Sequence, residues 1–162
     1  MRNAELVSDP RAVREPRAVR VGRGVHLNVL LLANQSLDAL DEICRAGGIT
    51  HQQYVALWTL CLAPDPETGV PMSAVADGLL NRASDTTRLV DRLERAGLAE
   101  RLPNPADRRS ILVRATPAGR LAFEQVTPKL QEFHRRQWSN LTAAEVDTLN
   151  GLLTKALWGG GR

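Results

Sequence analysis

The sequence lacks most of what would make an enzyme, a metalloprotein or a membrane protein. Its 162 residues hold two cysteines, Cys44 and Cys61, which do not form a CxxC pair. The three histidines, His26, His51 and His134, are scattered. A structural zinc site needs ligands at short, regular spacings, and neither set provides them. The cysteines therefore read as ordinary buried thiols. No glycine-rich phosphate loop, metal triad or nucleophile with a plausible base is present, so no catalysis and no cofactor is expected. No apolar run approaches the ~20 residues that span a bilayer. The opening MRNAELVSDPRAVREP has no apolar stretch after its charges, as a secretory signal would. No membrane partner is expected, and the cytoplasm is the expected location.

Lysine is also scarce, with two against nineteen arginines; a GC-rich genome would produce that bias by itself. The placement of charge says more than the net +3. Residues 82–120 carry nine arginines against five acids, whereas residues 25–81 carry one arginine against six acids. Residues 1–24 carry six arginines against three acids. A basic block beside an acidic one suggests a surface that meets a polyanion.

Residues 1–24 contain PRAVR twice, at 10–14 and 16–20. Two prolines six apart oppose a continuous helix, and the low apolar content opposes burial. The prediction is a flexible basic tail, with an arm along phosphates as its functional alternative. From residue 25 the pattern becomes helical. Leu27, Leu30, Leu31, Leu37, Leu40 and Cys44 approximate helical spacing until Gly47-Gly48. Surplus apolar surface on this helix predicts a partner. Thr50-His51-Gln52-Gln53 is a capping box opening a second helix, with Tyr54, Leu57, Trp58 and Cys61 on one face. A short helix follows over Met72–Leu79, then a turn at Leu80-Asn81-Arg82.

The next helix is predicted from about Ser84, a natural N-cap, with Asp85 in its positive first turn. Leu89, Val90 and Leu93 should point inward, and Arg88, Arg92 and Arg95 outward. Gly97-Leu98 stops it. LAERL (98–102) and SILVRA (110–115) then read as two short strands around PNPADRR, a hairpin tip. Thr116-Pro117 starts another helix, towards Trp138. A second capping box at Thr142–Glu145 opens the last one, and GGGR ends the chain.

Helix, helix, turn, helix, strand, hairpin, strand is the order of a winged helix-turn-helix. The expected fold is mainly α with a small β-hairpin wing, a winged lobe beside a helical dimerisation layer. The divisions are 1–24 for the tail, 25–48 for a dimerisation helix, 49–116 for the lobe and 117–158 for C-terminal dimerisation helices. A helix fits the major groove of double-stranded DNA, where base edges carry a distinct code. Ser84, Asp85, Thr86 and Thr87 lie where recognition residues usually sit, while Arg88 and Arg92 suit phosphates. Arg108 and Arg109 on a narrow tip could enter a minor groove, with Asp107 bridging to Arg109 to fix the turn.

The stretch TTRLVDRLERAGLAERLPNPADRRSILVRATPAGR resembles the recognition helix and wing of MarR-family transcriptional regulators, and residues 49–157 resemble the family as a whole. Asp107 and Arg109 match its Asp-x-Arg wing signature. Leu93, Gly97, Leu98 and Arg101 match its helix-to-strand junction, and ITHQQYVALWTL its second helix. The sequence departs from the pattern at Leu80-Asn81, at Asp85-Thr86 and at Ala115. The resemblance implies a homodimer on a pseudo-palindromic operator, acting as a repressor relieved by a small aromatic ligand. Such a ligand would bind between lobe and dimer layer, lined by His26, Tyr54 and Trp58. An oxidant-sensing regulator using Cys44 or Cys61, or a winged-helix protein-interaction module without DNA binding, are the alternatives.

Overall fold

A computed structural model describes residues 16–79, 86–107 and 109–159. Among these residues nine elements follow one another: α1 (Arg17–Ala46), α2 (His51–Cys61), β1 (Val70–Pro71), α3 (Met72–Asp77), α4 (Thr86–Arg95), β2 (Ala99–Pro103), β3 (Ile111–Ala115), α5 (Pro117–Gln137) and α6 (Ala143–Trp158). They fall into two bodies, one ending at Glu42 and the other running from Ile43.

The first body is α1 up to Glu42. The helix begins at Arg17, so residues 17–24 are helical and not part of a flexible tail. The reason is Pro16, whose carbonyl accepts from the N–H groups of Val19 and Arg20. A proline ahead of the first turn costs a helix nothing, because N–H groups there have no intrahelical partner. The other proline of the repeat, Pro10, lies outside the described residues. In this body Val19, Val21, Val25, Leu27, Val29, Leu30, Leu31 and Leu37 are all exposed.

The second body holds the core. Ala56, Leu57 and Leu60 of α2 pack with Val75 of α3, Leu89, Val90 and Leu93 of α4, Val113 of β3, and Phe123 and Val126 of α5. Both expected capping boxes are present. The Thr50 hydroxyl accepts from the Gln53 N–H and the Gln53 side chain from the Thr50 N–H; Thr142 and Glu145 do the same for α6. The inward face of α2 differs from the expected one. Leu57 is on it, Tyr54 and Cys61 are half-buried, and Trp58 is 50% exposed.

The sheet has three antiparallel strands in the order β1-β3-β2, one more than expected. β1 is two residues long and pairs Val70 with Val113 and Pro71 with Leu112. β2 and β3 pair from Ala99 with Ala115 to Pro103 with Ile111. Two glycines fix how the helices meet this sheet. Gly97 takes φ +69 and closes α4, where the Leu98 N–H donates to the Leu93 carbonyl at 2.8 Å. At Gly119 a Cβ would lie 2.0 Å from the Leu98 carbonyl oxygen. Only glycine lets the first turn of α5 come so close to the start of β2.

Candidate nucleic-acid interface

The α4 sequence TTRLVDRLER alternates apolar and charged residues at helical spacing. Leu89, Val90 and Leu93 are buried, while Thr87, Arg88, Arg92 and Arg95 are exposed, as expected. Thr86 is different. It is 2% exposed, and its hydroxyl has no partner among the described residues. A side chain so placed cannot reach a base edge, so Thr86 leaves the set of candidate readers. It sits three and four residues before Leu89 and Val90, on the apolar face. Ser84 and Asp85, the other candidates, lie outside the described residues, as does Arg108. Thr87 is then the one described first-turn candidate that faces outward.

The wing tip is built by side chains that hold main chain. The Asn104 side chain accepts from the Ala106 N–H at 2.9 Å and donates to the Ser110 hydroxyl at 2.6 Å. The Ser110 N–H and hydroxyl both donate to the Asp107 carbonyl. The Asp107 carboxylate accepts from the Arg109 main-chain N–H at 2.9 Å. The expected bridge from Asp107 to the Arg109 guanidinium is therefore replaced by a local turn. Arg109 keeps its guanidinium, which no acid among the described residues binds. It lines a cleft of about 660 Å³ together with Thr87 and Asp91 of α4, Met72 and Ser73 of α3, and Arg101 of β2. Met72 and Ser73 were not singled out in the sequence. No charge or periodicity marks them, and only the pairing of β1 with β3 brings them to the wing.

The basic block divides into two groups. Arg101 binds Asp91 at 2.7 Å and also binds Glu94. Arg114 binds Glu100 at 2.8 Å and the Glu67 carbonyl at 2.8 Å. Arg120 binds the Glu67 carboxylate at 2.8 Å. These three brace the lobe. Arg88, Arg92, Arg95 and Arg109 have no carboxylate partner among the described residues. Among the described residues, Arg92 reaches only the Gln52 amide oxygen, at 3.4 Å. Uncompensated guanidiniums along one helix, with another on a nearby hairpin, make a surface suited to a polyanion.

A family model described as MarR family matches residues 47–110, which span α2, the basic helix and the wing up to Ser110. The multiple antibiotic resistance protein MarR of Salmonella typhimurium is 49% identical over 72 residues, 44% of this chain and 50% of that protein. The match thus spans about half the length of that relative. The uncharacterized HTH-type transcriptional regulator YsmB of Bacillus subtilis is 31% identical over 114 residues, 70% of this chain and 75% of that protein. A mutant MarR from Escherichia coli, solved in complex with operator DNA, superposes with a TM-score of 0.72. It is 32% identical and covers 86% of this chain and 95% of that one. This chain belongs to the MarR family.

The MarR fold places the residues named for a ligand as follows. Tyr54 stacks on Phe123 with ring centroids 5.5 Å apart, and its hydroxyl lies 3.2 Å from that of Thr127. Both contacts tie α2 to α5. His26 lies on α1 in the first body and is exposed. A cavity of about 460 Å³ in the second body is lined by Ile43 of α1 and by Pro128, Lys129, Glu132, Phe133 and Arg136 of α5, and not by Tyr54 or Trp58. Cys44 is fully buried, and burial pushes the half-buried Cys61 thiol above its ordinary pKa, against the pull of Arg120. A raised pKa leaves Cys61 with less thiolate at neutral pH than a free cysteine has. No helix among the described residues is long and apolar enough to cross a membrane, and no cluster of metal-ligating side chains occurs among them.

Proposed function

We propose that this MarR-family chain is a transcriptional regulator that binds double-stranded DNA in a sequence-specific manner, with α4 in the major groove and the 104–110 tip at the adjacent minor groove. One observation carries the reading. Thr87 of the helix and Arg109 of the wing line the same cleft, and α4 also carries three exposed arginines with no carboxylate partner among the described residues. Arginines of this kind position a protein on phosphates, and a small polar residue near the helix start is suited to a base edge. The relative solved with operator DNA supports the same use.

The functional unit in this reading is a homodimer. Exposed apolar side chains along α1, and an α6 with no buried residue of its own, supply the surface for it. Its two lobes would meet half-sites roughly 10 bp apart. Family membership supports a repressor relieved by a small aromatic ligand. The test is binding to duplex DNA across a salt series, with the promoter of a neighbouring gene beside a mixed-sequence duplex. The expected result is steep salt dependence with preference for one promoter segment. Failure to bind either duplex at low salt would make the lobe a protein-interaction module instead.

A further inference from the structure

The acids of α4 sit among its cations. Asp91 stands three residues after Arg88 and four before Arg95, and both spacings bring side chains together on a helix. Left to the helix alone, Asp91 would pair with one of these arginines and neutralise it. It does not. Its Oδ1 accepts from Nη2 of Arg101, across on β2, at 2.7 Å. The same Arg101 binds Glu94 through Nη1, and its main-chain N–H donates to the Glu94 carboxylate at 3.0 Å. Arg101 is thus anchored by Glu94 and by the pairing of β2 with β3, and it reaches Asp91 from a fixed position. Among the described residues, Arg95 donates only to the Asp91 main-chain carbonyl, at 3.2 Å.

We propose that Arg101 is a positioning residue for DNA binding: by drawing Asp91 to the wing side of α4, it keeps Arg88 and Arg95 free for phosphate oxygens. The inference rests on the reading of α4 as the DNA-facing helix. Arg101 does not serve as a phosphate contact itself. Its side chain is only 24% exposed, and reaching DNA would break two ion pairs.

The test uses the whole chain and a mixed-sequence duplex of about 30 bp, with the slope of log affinity against log salt as readout. Arg101→Met releases Asp91 to pair along its own helix. The slope should fall by about one unit and affinity at moderate salt by roughly fivefold to tenfold, with fold and oligomeric state unchanged by thermal melting and sedimentation. Adding Asp91→Asn in that background should restore both, because an amide does not hold a guanidinium against phosphate. Should Arg101→Met not fold, Arg101→Lys replaces it. One ammonium cannot reproduce the fork that holds both acids, so a smaller fall is expected, again recovered by Asp91→Asn. An unchanged slope overturns the proposal. So does a fall that Asp91→Asn leaves in place, since Arg101 would then be a phosphate contact or a brace only. Equal gains from Asp91→Asn with and without Arg101 would reduce the effect to summed charge and overturn it too. Wild-type protein that binds no duplex would remove the DNA reading beneath it, which the variants alone do not touch.

Discussion

The Asp107 carboxylate accepts a hydrogen bond from the main-chain N–H of Arg109, 2.9 Å away. The acid therefore shapes the turn while the arginine side chain stays available. This separates two roles that an ion pair would have merged. Arg109→Ala should lower affinity for duplex roughly fivefold to tenfold and reduce the salt slope by about one unit, with the fold intact. Asp107→Asn should bind as the wild type does, because an amide oxygen still accepts from the N–H. Asp107→Ala should bind a few-fold more weakly. If Asp107→Asn weakens binding as much as Asp107→Ala, the carboxylate acts by charge and the turn reading is wrong.

Thr86 and Thr87 are adjacent and should respond in opposite ways. The buried hydroxyl of Thr86 has no partner among the described residues, and such a group costs about 1–3 kcal/mol of desolvation. Thr86→Val keeps the shape and removes that cost. We expect it to raise stability by about 1 kcal/mol in urea unfolding and to leave DNA preference unchanged. Thr87→Ala should leave stability alone and relax preference at one base pair, at a cost of about 1–3 kcal/mol for the preferred sequence. A loss of stability in Thr86→Val would show that the hydroxyl has a partner in the preceding segment.

The elements that were legible from the sequence are those set by local chemistry. Thr50 with Gln53 and Thr142 with Glu145 announce two helix starts because a capping box satisfies its donors within four residues. Gly97-Leu98 announces the end of α4 for the same kind of reason. What stayed hidden depends on partners far away in sequence. β1 is two residues long and exists only through Val113 and Leu112. Thr86 faces inward because the helix face is set by what packs beneath it, and a threonine suits either side. The candidate site followed the same division. Arg88, Arg92 and Arg109 could be picked out by spacing and turn chemistry, whereas the hold of Arg101 on Asp91 needs the register of β2 beside α4. Counting arginines also overstated the basic face, since Arg101, Arg114 and Arg120 are spent on acids.

The cysteines give a prediction with a definite pH sense. The Cys61 pKa is raised chiefly by burial, so its thiolate fraction at neutral pH lies below that of a free cysteine. Alkylation at pH 7 should be slower than for a small free thiol, and should accelerate only as pH rises past the ordinary thiol range. Cys44, fully buried, should react only on unfolding. Peroxide should leave DNA affinity unchanged. Rapid oxidation of either residue with parallel loss of binding would establish an oxidant sensor instead.

The apolar surface of α1 gives the last prediction. Between Val19 and Leu37 eight large apolar side chains are exposed, Val25 at 56%, and the one fully buried residue of the helix is Cys44 near its end. An isolated helix gains little from propensity alone and is held by packing its apolar side. Contiguous exposed apolar surface on this scale marks an interaction site. α6 repeats the pattern, with Leu152, Leu157 and Trp158 exposed and no residue buried. A second copy covering these surfaces explains both, and sedimentation at micromolar concentration should show a dimer. Because association then stabilises the folded chain, the melting temperature should rise with protein concentration. Leu27→Glu with Leu31→Glu, one turn apart, would bury two carboxylates in such an interface. We expect that pair to give monomers that melt at lower temperature, independently of concentration, and bind duplex much more weakly, since one lobe reaches only one half-site. A wild-type chain that sediments as a stable folded monomer, melting at the same temperature at every concentration, would remove the dimer and with it the two-lobed mode of binding.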